Sequence, residues 1–160
     1  MRVSQRVTYG IMAAVDLAIH GQEVPVQARA IARRQGISVR FLEQVLHALK
    51  KAGIVESQRG AQGGYLLTRK AADLSVAEIL EALEGPVFHR LFVTHRSLDK
   101  RAAKSDLLLG DVWDQVQQAE RLVLEGITVE QLADRQRAIE AQRNTIQNAF
   151  NAKTPAKTPL

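Results

Sequence analysis

The sequence predicts a mainly α-helical fold with one small β-hairpin: a winged helix-turn-helix domain followed by a long helix suited to dimerisation. Three observations carry this. Two helical stretches meet at a tight turn, Gly36-Ile37; the apolar period becomes extended just after Gly53, around a glycine-rich loop; and a narrow apolar stripe runs from Val112 to Val123. At 160 residues, 46% hydrophobic and 24% charged, the chain suits one modest globular domain plus an appended element. It is too short for a large multidomain enzyme.

From Gln5 to His20, residues Val7, Ile11, Met12, Val15, Leu17 and Ile19 recur mostly at helical intervals, with Ser4 as a start signal and Gly21 as a stop. A second, short helix fits Gln27 to Gln35 and stops at Gly36. Ser38 then caps a third, in which Val39, Phe41, Leu42, Val45, Leu46, Leu49 and Ala52 precede Gly53. Ile54 to Gln58 and Tyr65 to Thr68 read as strands flanking the turn-rich Arg59-Gly60-Ala61-Gln62-Gly63-Gly64, which makes a hairpin. Ser75 caps Val76 to Glu84, and Gly85-Pro86 is the stop.

These signals delimit a first domain over residues 1–86. Residues 87–106 have weak periodicity and read as an irregular connector. Over 107–126, Val112, Val116, Ala119 and Val123 step by 4, 3 and 4, the spacing of a coiled-coil seam, with Trp113 beside it. Gly126 breaks that helix, and Thr128 caps a polar one within 127–150. Residues 151–160 repeat Lys-Thr-Pro and read as a disordered tail.

The formal charge of +5 conceals an asymmetry. Residues 1–70 hold 11 basic and 4 acidic groups, whereas residues 71–160 hold 11 and 13. A local cationic excess is what phosphate neutralisation requires, although it also serves ordinary solubility. The absence of cysteine excludes disulfides, thiolate zinc sites, cysteine nucleophiles and all-thiolate iron–sulfur ligation. No apolar run reaches the roughly 18 residues of a membrane span, and the first residues lack a secretory pattern, so the expected setting is cytoplasmic and away from membranes.

On the third helix, Arg40, Glu43, Gln44, His47 and Lys51 fall on one polar stripe. Such a stripe is an ordinary solvated face or, after a helix and a tight turn, the reading face of a recognition helix, where Arg pairs with guanine, Gln with adenine and Glu with cytosine. In the hairpin loop, Gly60, Gly63 and Gly64 permit close backbone approach, and Arg59 suits a narrow minor groove. A plain hairpin turn is the alternative. The loop is not a nucleotide-phosphate cradle, because no Lys-Ser/Thr pair opens a helix after it.

The order of these blocks resembles the Rrf2 family of bacterial winged-helix transcription regulators, which includes the iron–sulfur cluster regulator and the cysteine-metabolism regulator. The likeness rests on Tyr9-Gly10, the run from Ile31 to Ser38, Phe41-Leu42-Glu43-Gln44, the run from Lys51 to Val55, Arg59 to Tyr65, and Ile79 to Pro86. It implies a homodimer on a partly palindromic operator in double-stranded DNA. Arg40, Glu43 and Gln44 would read bases, flanked by His47, and Arg59 would enter the minor groove beside Gly60, Gln62, Gly63 and Gly64. Thr8, Tyr9 and Ser38 would hold phosphates. Glu43 is costly in a phosphate field, so its role can be rejection of wrong bases.

For the long helix the resemblance implies pairing of Val112, Trp113, Val116, Ala119 and Val123 with a second copy; packing on the chain's own first domain is the alternative. Sensing members of the family carry three cysteines between positions matching Val87 and Asp106. This chain has His89, His95, Asp99 and Asp106 there instead, so no cofactor is expected and the effector is left open. The functional expectation is a sequence-specific regulator, acting as a repressor by excluding polymerase. The alternative is a winged-helix module that binds protein. No nucleophile elbow, zinc-protease helix or nucleotide loop organises an enzyme's site.

Overall fold

A computed structural model describes residues 3–21, 23–85 and 103–153. The elements are α1 (Gln5–His20), α2 (Ala28–Gln35), α3 (Val39–Lys51), β1 (Val55–Gln58), β2 (Gly64–Leu67), a short 3-10 turn (Ala71–Asp73), α4 (Val76–Glu84), α5 (Ala103–Glu125) and α6 (Val129–Lys153).

The capping residues expected from the sequence act as caps. The Ser4 and Ser38 hydroxyls accept from the N–H groups of Val7 and Phe41 at 3.2 and 3.3 Å. At α4 the cap is reciprocal: Glu78 N–H donates to the Ser75 hydroxyl, and Ser75 N–H donates back to the Glu78 carboxylate. Thr128 and Gln131 exchange the same pair of bonds at the start of α6. Gly36 sits at φ 65° in the turn between α2 and α3, where the Ile37 N–H closes onto the Ala32 carbonyl at 2.9 Å.

One core joins these elements. Val7, Leu17, Ile31, Leu42, Leu46, Leu49, Leu74 and Ile79 are fully buried together. Among them sits Asp16, at 0% exposure, held by the Arg34 guanidinium through bonds of 2.9 and 2.5 Å and by the Gln35 amide at 3.0 Å. A carboxylate so placed is tolerable only when paired. It therefore locks α1 to the C-terminal end of α2. The pairing also raises the Arg34 pKa, first through its hydrogen bond to Asp16.

Helix α6 begins inside this core. Val129 and Ala133 are fully buried, the Val129 N–H donates to the Leu74 carbonyl, and the Val76 N–H donates to the Ile127 carbonyl, both at 2.9 Å. Val129 and Ala133, with Leu132 packed partly buried beside them, are the apolar positions of its first turns that meet the core, too short a run to stand out as a stripe in a polar sequence.

Several boundaries differ from the sequence expectation. The strands are Val55–Gln58 and Gly64–Leu67, paired antiparallel with Val55 opposite Leu67 and Gln58 opposite Gly64. Helix α5 starts at Ala103, four residues before the expected 107, because a polar helical turn carries no apolar stripe to betray it. Helix α6 runs to Lys153, three residues into the segment read as a tail. The expected irregular connector falls for the most part, over 86–102, outside the described residues.

Candidate nucleic-acid interface

Helix α3 is divided cleanly. Leu42, Val45, Leu46 and Leu49 are buried, whereas Arg40, Glu43, Gln44, His47 and Lys51 are all exposed. Among the described residues Arg40, Lys51 and Arg59 have no ion-pair partner, while Arg34, Arg69, Arg121 and Arg137 each pair with a carboxylate. No carboxylate among the described residues offsets the charge of Arg40, Lys51 or Arg59.

The N-terminal end of α3 meets α1. The Tyr9 and Phe41 rings pack edge to face with centroids 5.5 Å apart, so Tyr9 is half-buried and anchors α1 beside Ser38 and Arg40. Thr8 is exposed next to it, its hydroxyl donating to the Ser4 carbonyl at 3.2 Å. Ser38 uses one lone pair on Phe41 and keeps its O–H free of that bond.

At the other end of α3, the Lys50 ammonium donates to the Ser57 hydroxyl and ties the hairpin to the helix. The loop before α2 holds the second strand: Val26 and Tyr65 exchange backbone bonds of 3.0 and 2.9 Å. The Gln27 amide also donates to the Ala61 carbonyl at 3.3 Å, pinning the loop tip. Arg59, Gly60 and Gln62 lie exposed on that tip.

Two of the loop glycines are required by close backbone approach. A Cβ on Gly64 would lie 2.5 Å from the Val26 backbone, and one on Gly63 would lie 2.3 Å from the Gln58 carbonyl oxygen. Gly63 without a side chain lets the hairpin loop close beneath Arg59, and Gly64 without one lets the segment before α2 dock against β2. Lys50, Gln27 and the Asp16–Arg34–Gln35 cluster were not singled out from the sequence. Asp16 has a legible signal, a lone acid inside the apolar run from Ala13 to Ile19; Gln27 has none because Ala61 is distant in the chain, and Lys50 has none because residue type does not fix how the chain turns between it and Ser57.

The profile of the Rrf2 family, described as "Iron-dependent Transcriptional regulator", matches residues 3–135. The chain belongs to the Rrf2 family. Protein rrf2 of Nitratidesulfovibrio vulgaris, strain Hildenborough, is 46% identical over 90 residues, which make up 54% of this chain and 60% of that relative's length. The structure of T. potens IscR superposes with a TM-score of 0.64 at 34% identity, covering 96% of this chain and 92% of that one. CymR, the global cysteine regulator of B. subtilis, superposes at 0.66 with 29% identity, covering 84% and 97%. These relatives are regulators, not enzymes, and the winged-helix architecture is theirs.

Iron in this family raises the question of what this Rrf2 chain offers a metal. It has no thiolate, so a cysteine-held iron–sulfur cluster does not fit it. Among the described residues no group of three or more His, Asp or Glu side chains is gathered to hold an ion. His89, His95 and Asp99 lie outside the described residues. Also among the described residues, no helix is long and apolar enough to cross a membrane.

The seam expected on α5 is uncovered within one chain. Val112, Val116 and Val123 are 48%, 47% and 61% exposed, and Trp113 and Ala119 are exposed beside them.

Proposed function

We propose that this Rrf2-family chain is a homodimeric repressor that binds a partly palindromic operator in double-stranded DNA within the cytoplasm. The observation that carries the reading is the two-faced α3: Leu42, Val45, Leu46 and Leu49 on its apolar side are buried, and its exposed side presents Arg40, Glu43, Gln44 and His47 in a row. Inserted in the major groove, such a helix reads bases through Arg40 and Gln44, and Glu43 rejects those that offer it no donor. Arg59, on a tip pinned by Gln27 in a hairpin that Lys50 ties to α3, reaches the adjacent minor groove. Thr8, Tyr9 and the Ser38 hydroxyl contact phosphates and fix the register.

The α5 stripe supports the dimer. Apolar residues at seam spacing, left half-exposed in one chain, are covered when a second copy brings the same stripe. Two α3 helices then read two half-sites, and occupation of a promoter excludes polymerase without further contacts. The test is competition between a selected promoter fragment and a scrambled duplex across a salt series. Expected are a preference for the promoter fragment and a steep loss of affinity with salt, of log-log slope about −0.9 per neutralised phosphate. Equal affinity for both duplexes overturns the reading.

A further inference from the structure

The C-terminal ends of α1 and α2 face the middle of α6 across an open cleft of about 530 Å³. Helix α6 lines it with Arg135, Ile139 and Arg143, spaced i, i+4 and i+8, so the two guanidiniums lie on one stripe about 12 Å apart along the axis. Ile139 sits between them with 57% of its surface exposed. From the opposite wall come His20 and Arg34.

The charges are not equivalent. Arg34 is committed to the buried Asp16, whereas Glu140, also on the wall, accepts from the uncharged Gln136 amide at 2.9 Å and keeps its negative charge, which leaves the α6 wall with an excess of one positive charge. Among the described residues Arg135 and Arg143 have no ion-pair partner. The cleft thus offers two uncommitted cations flanking an apolar side chain. That chemistry selects an organic anion with an apolar body: one guanidinium or the other takes its acidic group, and Ile139, between them, takes the carbon skeleton.

The position separates this cleft from the DNA face. His20 lies twelve residues beyond Thr8, about 18 Å along α1 at the helical rise. It also joins α2, the first helix of the helix-turn-helix, to α6. A ligand spanning both favours one placement of α2 against α6, and by linkage its differential affinity appears in DNA binding.

We propose that this cleft is an effector site for an amphipathic organic anion; the regulatory half of the proposal rests on the operator-binding reading above. The test titrates the full chain with anilinonaphthalene sulfonate, an aromatic anion, first without DNA. A saturable fluorescence rise is expected, weakened about tenfold or more in Arg135→Ala/Arg143→Ala and retained in Arg135→Lys/Arg143→Lys. Both arginines are exposed, so the variants keep the fold. Saturating probe should then shift operator affinity at least about threefold in the native chain and leave the double-alanine variant unmoved. Probe binding indifferent to the two charges overturns the site, and an operator affinity unmoved by saturating probe overturns its effector role. Failure to bind operator without probe is instead failure of the DNA reading, and the DNA-free titration tells the two apart.

Discussion

Helices α3 and α5 are both amphipathic, yet they end differently. In α3 the apolar residues Leu42, Val45, Leu46 and Leu49 are at most 1% exposed, whereas in α5 Val112, Val116 and Val123 remain roughly half-exposed. The first helix is complete within its own chain and turns a polar face outward; the second is incomplete and turns an apolar face outward. Amphipathicity alone does not say which face meets a partner. What decides it is whether the chain itself covers the apolar side.

The strongest way to break this contrast is to charge the α5 stripe. Val116→Asp should yield monomers by sedimentation, with operator affinity reduced about 100-fold or more, because the second half-site contact ceases to be intramolecular. An unchanged mass would place the seam elsewhere. The corresponding change in α3 strikes the fold: Leu46→Ala should lower stability by about 2–5 kcal/mol in denaturant melts, with dimerisation intact at temperatures where the chain stays folded. On the polar face of α3, Gln44→Ala should leave stability unchanged. It should cost about 1–3 kcal/mol on the cognate operator and much less on scrambled DNA. Equal loss on both would make Gln44 a phosphate contact.

The smallest expected effect concerns α4, which packs against both helices. Burial opposes ionisation of Glu78, but the Ser75 N–H, the Arg69 guanidinium and the Ser75 hydroxyl outweigh it and hold the carboxyl below its ordinary range. A carboxyl depressed in the folded state stabilises above its unfolded pKa, near 4.3, and that contribution disappears as pH falls through the folded value. Glu78→Gln should therefore cost under about 1 kcal/mol at neutral pH, since the group is partly exposed. The difference from the native chain should shrink on acidification in a pH series of thermal melts.

Much of the fold is legible residue by residue. Ser4, Ser38 and Ser75 announce helix starts because an N-cap is a local hydrogen bond, and Gly36 announces a turn because positive φ is a local requirement. The polar stripe of α3 is equally local. Contacts that depend on how the chain turns or on which segments meet are not legible: Lys50 with Ser57, seven residues on across the turn into the hairpin, Gln27 with Ala61, and Val129 with the core. Gly63 and Gly64 were visible as glycines, but the clash that forbids a side chain there involves backbone brought close by folding.

The sequence by itself determined the element order, the caps, the polar stripe of α3, the apolar stripe of α5 and the absence of any thiolate, since each depends on residue type and short-range period. Only the tertiary structure decided that Asp16 is buried and consumes the charge of Arg34, that α6 roots in the first core, and that Arg135 and Arg143 border a cleft with α2. Pairing, burial and cavity shape arise between residues far apart in the chain, and their energies depend on a dielectric and a packing that exist only once the chain has folded.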